Sequence, residues 1–225
     1  MLDSRKIKQL AYSLGADLCG VACAERFERA CAGLHPAEID PDCRSVIVFA
    51  RQFPASALSA AGCVPYSHIY RMMVQELDRL GLEFCLQLEE QGVHALPLPA
   101  EGPFERDGDG EEAHWGVLSL RHAGWLAGLG VLGRNTLLIN RTYGSLIQLG
   151  ALLVDLELDS DPIATHNGCP PGCRLCLDAC PVSALDGTAV DGELCGQLTS
   201  CSANGGETLI RCNRCRQVCP VSLGI

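Results

Sequence analysis

The sequence predicts an α+β chain, with a layered α/β domain over residues 1–160 and a small cysteine-rich domain over residues 161–225. Three observations predict it. Helical apolar spacing followed by a short apolar run occurs twice in the first hundred residues, and this helix-then-strand order is that of an α/β layer domain. The short runs lack polar alternation, which marks strands of a sheet covered on its faces. Nine of the fifteen cysteines of this 225-residue chain lie between Cys169 and Cys219.

Taken in order, residues 4–14 place Ile7, Leu10, Ala11 and Leu14 on one helical face, with Asp3 or Ser4 as cap and Gly15 as stop. Residues 16–22 and 45–50 read as buried strands. Residues 66–91 form the longest helical stretch, with Ile69, Met73, Leu77, Leu80, Phe84 and Leu88 opposite Arg71, Glu76, Asp78, Arg79, Glu83 and Glu89. Gly81 is a place for a bend or a split. Residues 93–98 are a further strand, and 101–112 a Gly-rich acidic loop, expected to be mobile or to act as a lid. Residues 117–126 read as a helix. Residues 135–140 and 146–158 read as a pair of strands around a turn at Tyr143-Gly144. The polar stretch 159–167 is the expected domain boundary. Most of Cys19, Cys23, Cys31, Cys43, Cys63 and Cys85 are assigned to packing.

The cysteine-rich stretch holds two blocks that each close with Cys-x2-Cys-x3-Cys-Pro, namely Cys173-x2-Cys176-x3-Cys180-Pro181 and Cys212-x2-Cys215-x3-Cys219-Pro220. Two intervening residues let consecutive thiolates point into one cavity, while the last cysteine of such a run ligates the other cluster in two-cluster ferredoxins. A ferredoxin-like domain with two 4Fe-4S clusters follows. Cys169, Cys173 and Cys176 hold one cluster with Cys219. Cys212 and Cys215 hold the second, with Cys180 and one of Cys195 or Cys201. Three residues separate Cys169 from Cys173, and Pro170-Pro171-Gly172 absorb the extra one in a turn. A structural zinc site competes for paired Cys-x2-Cys, and the two Cys-Pro endings favour clusters. Disulfides are disfavoured because the Met1-Leu2-Asp3-Ser4-Arg5-Lys6 start lacks the apolar core of a signal peptide, and cytosolic thiols stay reduced.

Composition excludes several classes. A 48% hydrophobic content suffices for a core, and the formal net charge is -10. Such a chain does not bind a nucleic-acid backbone by bulk electrostatics, so no nucleic-acid partner is expected. No run approaches eighteen apolar residues, so no membrane span is expected, and the location read from this is cytoplasmic. Gly128-Leu-Gly130-Val-Leu-Gly133 matches a dinucleotide fingerprint, but the preceding strand and following helix that the fingerprint needs are replaced by a helix and a strand-like run. The three glycines then serve a close approach of backbone to a neighbouring element or a flat cofactor.

The stretch from Ala127 to Asn140, then Tyr143-Gly144-Ser145 and the cysteine blocks, resembles the epoxyqueuosine reductase family, cobalamin-dependent reductases with two 4Fe-4S clusters related to the reductive dehalogenases. Residues 14–22 and 44–48 are similar to that family's first helix-strand unit and second strand. Leu194-Cys195 with Leu198-Thr199 is similar to its isolated cluster cysteine, which favours Cys195 over Cys201. The resemblance implies a cobalamin-reductase or nitroreductase-like first domain, with a corrinoid contacted by Gly128, Gly130 and Gly133. Arg134 and Asn135 are candidates to bind an anionic or amide group of that cofactor. Two departures stand out. No Asp matches the family's proton donor in residues 111–115, and with six residues after Cys219 the tRNA-binding repeats that follow the clusters in the tRNA enzymes are expected to be absent. The candidate proton donors are His122, His114, Glu112 and Tyr143.

The expected function is an iron-sulfur oxidoreductase that passes electrons through two clusters to a cofactor, cobalamin first, acting on a small-molecule substrate. The alternatives are an electron-transfer protein with no cofactor in its first domain, serving a partner redox protein, and an enzyme carrying flavin there.

Overall fold

The structure is a computed structural model, and it describes residues 2–29, 35–59, 61–101, 117–202 and 208–225. In chain order the elements are α1 (Ser4–Ser13), β1 (Leu18–Cys23), α2 (Pro36–Ile39), β2 (Ser45–Gln52), α3 (Cys63–Glu89), β3 (Ala95–Leu98), α4 (Leu120–Leu126), β4 (Val131–Leu132), β5 (Leu138–Ile139), β6 (Ile147–Val154), α5 (Leu175–Asp178), α6 (Gly192–Thr199), β7 (Ser200–Ser202), β8 (Thr208–Ile210) and α7 (Arg214–Gln217). The chain divides into two compact units. One comprises Met1–Arg51, Val74–Gly130 and Gln148–Thr165, the other Gln52–Met73, Val131–Ile147 and His166–Ile225. The second unit therefore draws in two earlier segments, and its last segment opens inside the polar stretch 159–167.

In the first unit, α1 starts where the Asp3 carboxylate accepts the Lys6 N–H at 2.8 Å, a cap that stabilises a helix by about 1 kcal/mol. Ile7 and Ala11 on its inner face are fully buried. The four-stranded sheet has the order β1-β2-β6-β3. β1 and β2 pair antiparallel from Leu18 opposite Ala50 to Cys23 opposite Ser45, and β3 and β6 pair antiparallel from Ala95 opposite Val154 to Leu98 opposite Ala151. β6 is buried at every position, which explains why its residues, like those of β2, show no polar alternation. Two expectations change here. The strand read at 146–158 ends at Val154, and the helix read at 117–126 starts at Leu120.

Leu77, Leu80, Phe84 and Leu88 of α3 join Ile7, Val21, Ile47, Phe49 and Leu152 in one core. Each such side chain contributes about 1.5–3 kcal/mol on burial. Gly81 does not split α3. A Cβ there would lie 3.4 Å from Cζ of Phe49 and 3.7 Å from Cβ of Pro97, so this glycine sits where the helix lies closely on its neighbours.

In the second unit, Phe53, Ala57, Tyr66 and Leu146 form a small core, against which Ile69, Tyr70, Met73 and Ile210 pack. The apolar stripe read along residues 66–91 thus serves one core with its first part and the other core with its second. Two short antiparallel ribbons, β4 with β5 and β7 with β8, belong to this unit. The strand read at 135–140 does not pair with 146–158: Leu138 and Ile139 pair with Leu132 and Val131 instead. The turn at Tyr143-Gly144 is present. Asn140 and Gly144 exchange backbone hydrogen bonds at 2.8 and 2.9 Å, and Asn140 Oδ1 accepts the Thr142 and Tyr143 N–H groups.

Candidate iron-sulfur centre

The two cysteine blocks fold alike. α5 and α7 are one-turn helices that follow residues of closely similar backbone, Arg174 at φ -129°, ψ 7° and Asn213 at φ -136°, ψ 24°. They end at Ala179 (φ -86°, ψ -9°) and Val218 (φ -83°, ψ -6°), and α5 packs against α7. Cys176 and Cys215 occupy the same turn of the two helices, and Cys180 and Cys219 follow them. The repeated spelling is therefore a repeated conformation, in which each proline after the last cysteine stops the helix.

Burial and neighbouring thiols raise three of these cysteines. Cys219 is pushed up first by burial and then by Cys169, Cys176 and Cys173. Cys176 is raised by burial and by Cys169 and Cys173. Cys215 is pushed up to about 11, first by burial, against the Arg216 charge, with Cys195, Cys212 and Cys176 adding to the rise. Thiols gathered in this way suit a cation, which deprotonates them outright. Among the described residues no three His, Cys, Asp or Glu side chains are grouped to hold a single ion. Two like Cys-x2-Cys-x3-Cys-Pro turns are the donor set by which thiolates hold an iron-sulfur cluster. Cys180 is not among the residues acting on Cys215. Its Sγ accepts the Ala184 N–H at 3.3 Å. Cys195 Sγ lies 3.3 Å from Thr199 Oγ1.

Arg134 and Asn135 are drawn into the same unit. The Arg134 N–H donates to Cys169 Sγ at 3.4 Å, its guanidinium donates to the Cys173 carbonyl at 3.0 Å, and Asn135 Nδ2 donates to the Cys215 carbonyl at 3.3 Å. These two side chains tie both cysteine loops to the turn between β4 and β5. Gly133 approaches its own neighbours: a Cβ there would be 2.5 Å from Cδ1 of Ile139. Tyr143 is half-buried in its turn.

Gly128, Gly130 and His122 lie in the first unit. Gly128, at φ +75°, faces the Pro162 carbonyl oxygen, which a Cβ would meet at 2.4 Å, and Gly130 is buried. The close approach at Gly128 is thus made to the chain itself. His122 is half-buried on α4, with Nδ1 2.7 Å from Ser119 Oγ, and burial followed by the Arg121 charge holds its pKa below the ordinary value. His114, Glu112 and most of the acidic loop lie outside the described residues. The sequence reading missed Phe53, Tyr66 and Arg216, which meet in the second unit. The arginines on either side of Cys215 were the available signal.

The fold is of the α+β class, with two like cysteine blocks in its second unit. Known proteins narrow the class to one resemblance. An epoxyqueuosine reductase of Staphylococcus aureus is 37% identical over 124 residues, 49% of this chain and 31% of that one. One of Pseudomonas aeruginosa is 36% identical over 105 residues, 42% of this chain and 29% of that one. These matches span about a third of the length of the curated relatives. No protein-family model matches. The structure of epoxyqueuosine reductase from Streptococcus thermophilus shares the fold over 100% of this chain and 67% of its own, with a TM-score of 0.68 at 19% identity. A catabolic reductive dehalogenase in complex with 3-bromo-4-hydroxybenzoic acid covers 96% of this chain and 31% of its own, with a TM-score of 0.67 at 20% identity. The α+β class and the resemblance to epoxyqueuosine reductases both stand. The expectation of no nucleic-acid partner is not borne out, because another structure of this fold is an epoxyqueuosine reductase with an epoxyqueuosine-modified tRNA stem loop. Among the described residues no helix is long and apolar enough to cross a membrane.

Proposed function

We propose that this chain is an iron-sulfur oxidoreductase in which residues 161–225 hold two 4Fe-4S clusters and pass electrons onward, in a cytosol that keeps thiols reduced. The supporting observation is the shared conformation of the two Cys-x2-Cys-x3-Cys-Pro blocks, whose helices α5 and α7 pack together, with Cys169, Cys173 and Cys176 close enough to Cys219 to raise its thiol. In the first cluster the ligands are these four. In the second they are Cys180, Cys195, Cys212 and Cys215. The electron acceptor in residues 1–160 is cobalamin, on the strength of the resemblance. When bound, it supplies low-valent cobalt chemistry, and the protein's part is to orient the substrate and supply a proton. Of the candidate donors, His122 and Tyr143 are described; His122 Nδ1 lies 2.7 Å from Ser119 Oγ, and burial, which disfavours its charged ring, makes it a ready donor once it has taken up a proton.

A second reading has a specific observation in its favour. Gly128 and Gly133 are taken up by packing against Pro162 and Ile139, so the segment that most suggested a macrocycle is explained without one, and an electron carrier serving a partner reductase follows. Titrating cobalamin into anaerobically reconstituted protein and following its absorption bands separates the two. Saturation near one cobalamin per chain supports the reductase, after which an epoxyqueuosine-modified tRNA stem loop and small organic halides are assayed as substrates. Full cluster content without cobalamin uptake supports the carrier, and a retained flavin spectrum supports neither.

A further inference from the structure

We propose that Arg216 tunes the cluster held by Cys212 and Cys215, raising its reduction potential above the value those cysteines give without the guanidinium. The inference rests on the two-cluster reading above.

Arg216 is the residue after Cys215, and it is 9% exposed. Its guanidinium stacks over the Phe53 ring at 5.4 Å from the centroid and donates from Nη1 to the Tyr66 hydroxyl at 3.1 Å. Phe53 and Tyr66 are themselves in ring contact at 5.5 Å. Among the described residues no carboxylate pairs with it. A buried cation held only by a ring face and a neutral hydroxyl is costly unless an anion lies nearby. The missing anion is the cluster, which together with its four thiolates is negative and becomes more so on reduction.

The repeat supplies an internal comparison. The same position of the first block, after Cys176 in a turn of closely similar backbone, is the neutral Leu177. A cation is therefore no requirement of the Cys-x2-Cys-x3-Cys-Pro conformation. Its presence in one block alone calls for a reason in that block, and net charge near a cluster is one of the determinants of potential. Reduction adds one electron, supplied by a low-potential one-electron donor such as dithionite, and no bond is made or broken. The added negative charge is stabilised by a fixed positive one, so the sign of the effect is upward.

The test is a dithionite titration of the full-length reconstituted protein, followed by electron paramagnetic resonance, with iron counted first. Wild-type protein with markedly fewer than about eight iron per chain fails the two-cluster reading itself. With iron in place, Arg216→Met is expected to move one midpoint negative, so that the reduced-to-oxidised ratio at fixed potential falls about tenfold, a shift of ~59 mV for one electron. The other midpoint stays, and Arg216→Lys and the exposed Arg214→Met stay near wild type. If Arg216→Met does not hold iron, Arg216→Gln is read in its place. An unmoved midpoint in a fully loaded neutral variant overturns the proposal, as does an equal shift in Arg216→Lys. Loss of iron from both neutral variants makes Arg216 a structural residue and overturns it too.

Discussion

The backbone N–H of Arg134 donates to Sγ of Cys169 at 3.4 Å. An N–H aimed at a ligand sulfur is one of the means by which a protein stabilises a cluster, and here it comes from the turn between β4 and β5, outside the cysteine blocks. The guanidinium of the same residue holds the Cys173 carbonyl at 3.0 Å. Arg134→Ala keeps the first bond and loses the second. It is expected to lower stability by about 1–2 kcal/mol and to speed iron loss to a chelator. Denaturant midpoints and the chelation rate read the two effects.

Cys219 and Cys19 are predicted to behave oppositely. Cys19 is buried in the first core and its thiol is pushed up to about 12 by burial, so it stays protonated and inert. Cys19→Ser leaves iron content unchanged, whereas Cys219→Ser removes about half of it. Iron assay of the two variants side by side decides whether the last cysteine holds iron where a buried core cysteine does not.

Gly128→Ala tests whether the glycine is there for packing. At φ +75° and facing the Pro162 oxygen, an alanine costs about 1–3 kcal/mol from backbone strain alone, with the clash added. The loss is expected in protein that has never met cobalamin. Unchanged stability paired with lost cobalamin binding contradicts the packing account.

His122 gives a pH dependence with a definite sign. Its folded-state pKa lies below the ordinary value because burial, and then Arg121, disfavour the charged ring. The unfolded chain therefore binds the proton more readily. Its contribution to stability is full above the ordinary value of about 6.5 and is lost as pH falls from there through the folded value. In His122→Gln that part of the acid destabilisation disappears, which denaturant midpoints of the variant and the wild type between about pH 5 and 8 measure as a difference.

Local signals were legible in the sequence where one residue type determines the outcome by itself. The cysteine blocks, the cap at Asp3, the stripe from Ile69 to Leu88 and the turn at Tyr143-Gly144 are of this kind. The partner of a strand is not local. Leu138 and Ile139 looked like half of a hairpin with residues 146–158, yet they pair with Val131 and Leu132, two residues too few to read as a strand. The glycine segment was legible as a close approach but not as to what it approaches, because Pro162 lies far along the chain. Arg216 was visible between two ligands, while the ring and hydroxyl that hold it, Phe53 and Tyr66, come from the other end of the sequence.

The most direct test of the two-cluster account is the metal and sulfide content of protein purified without oxygen. The account predicts about eight iron and eight sulfide per chain, with a broad absorption shoulder that dithionite bleaches. Zinc in place of iron, or about four iron with Cys212→Ser no different from the wild type, contradicts it.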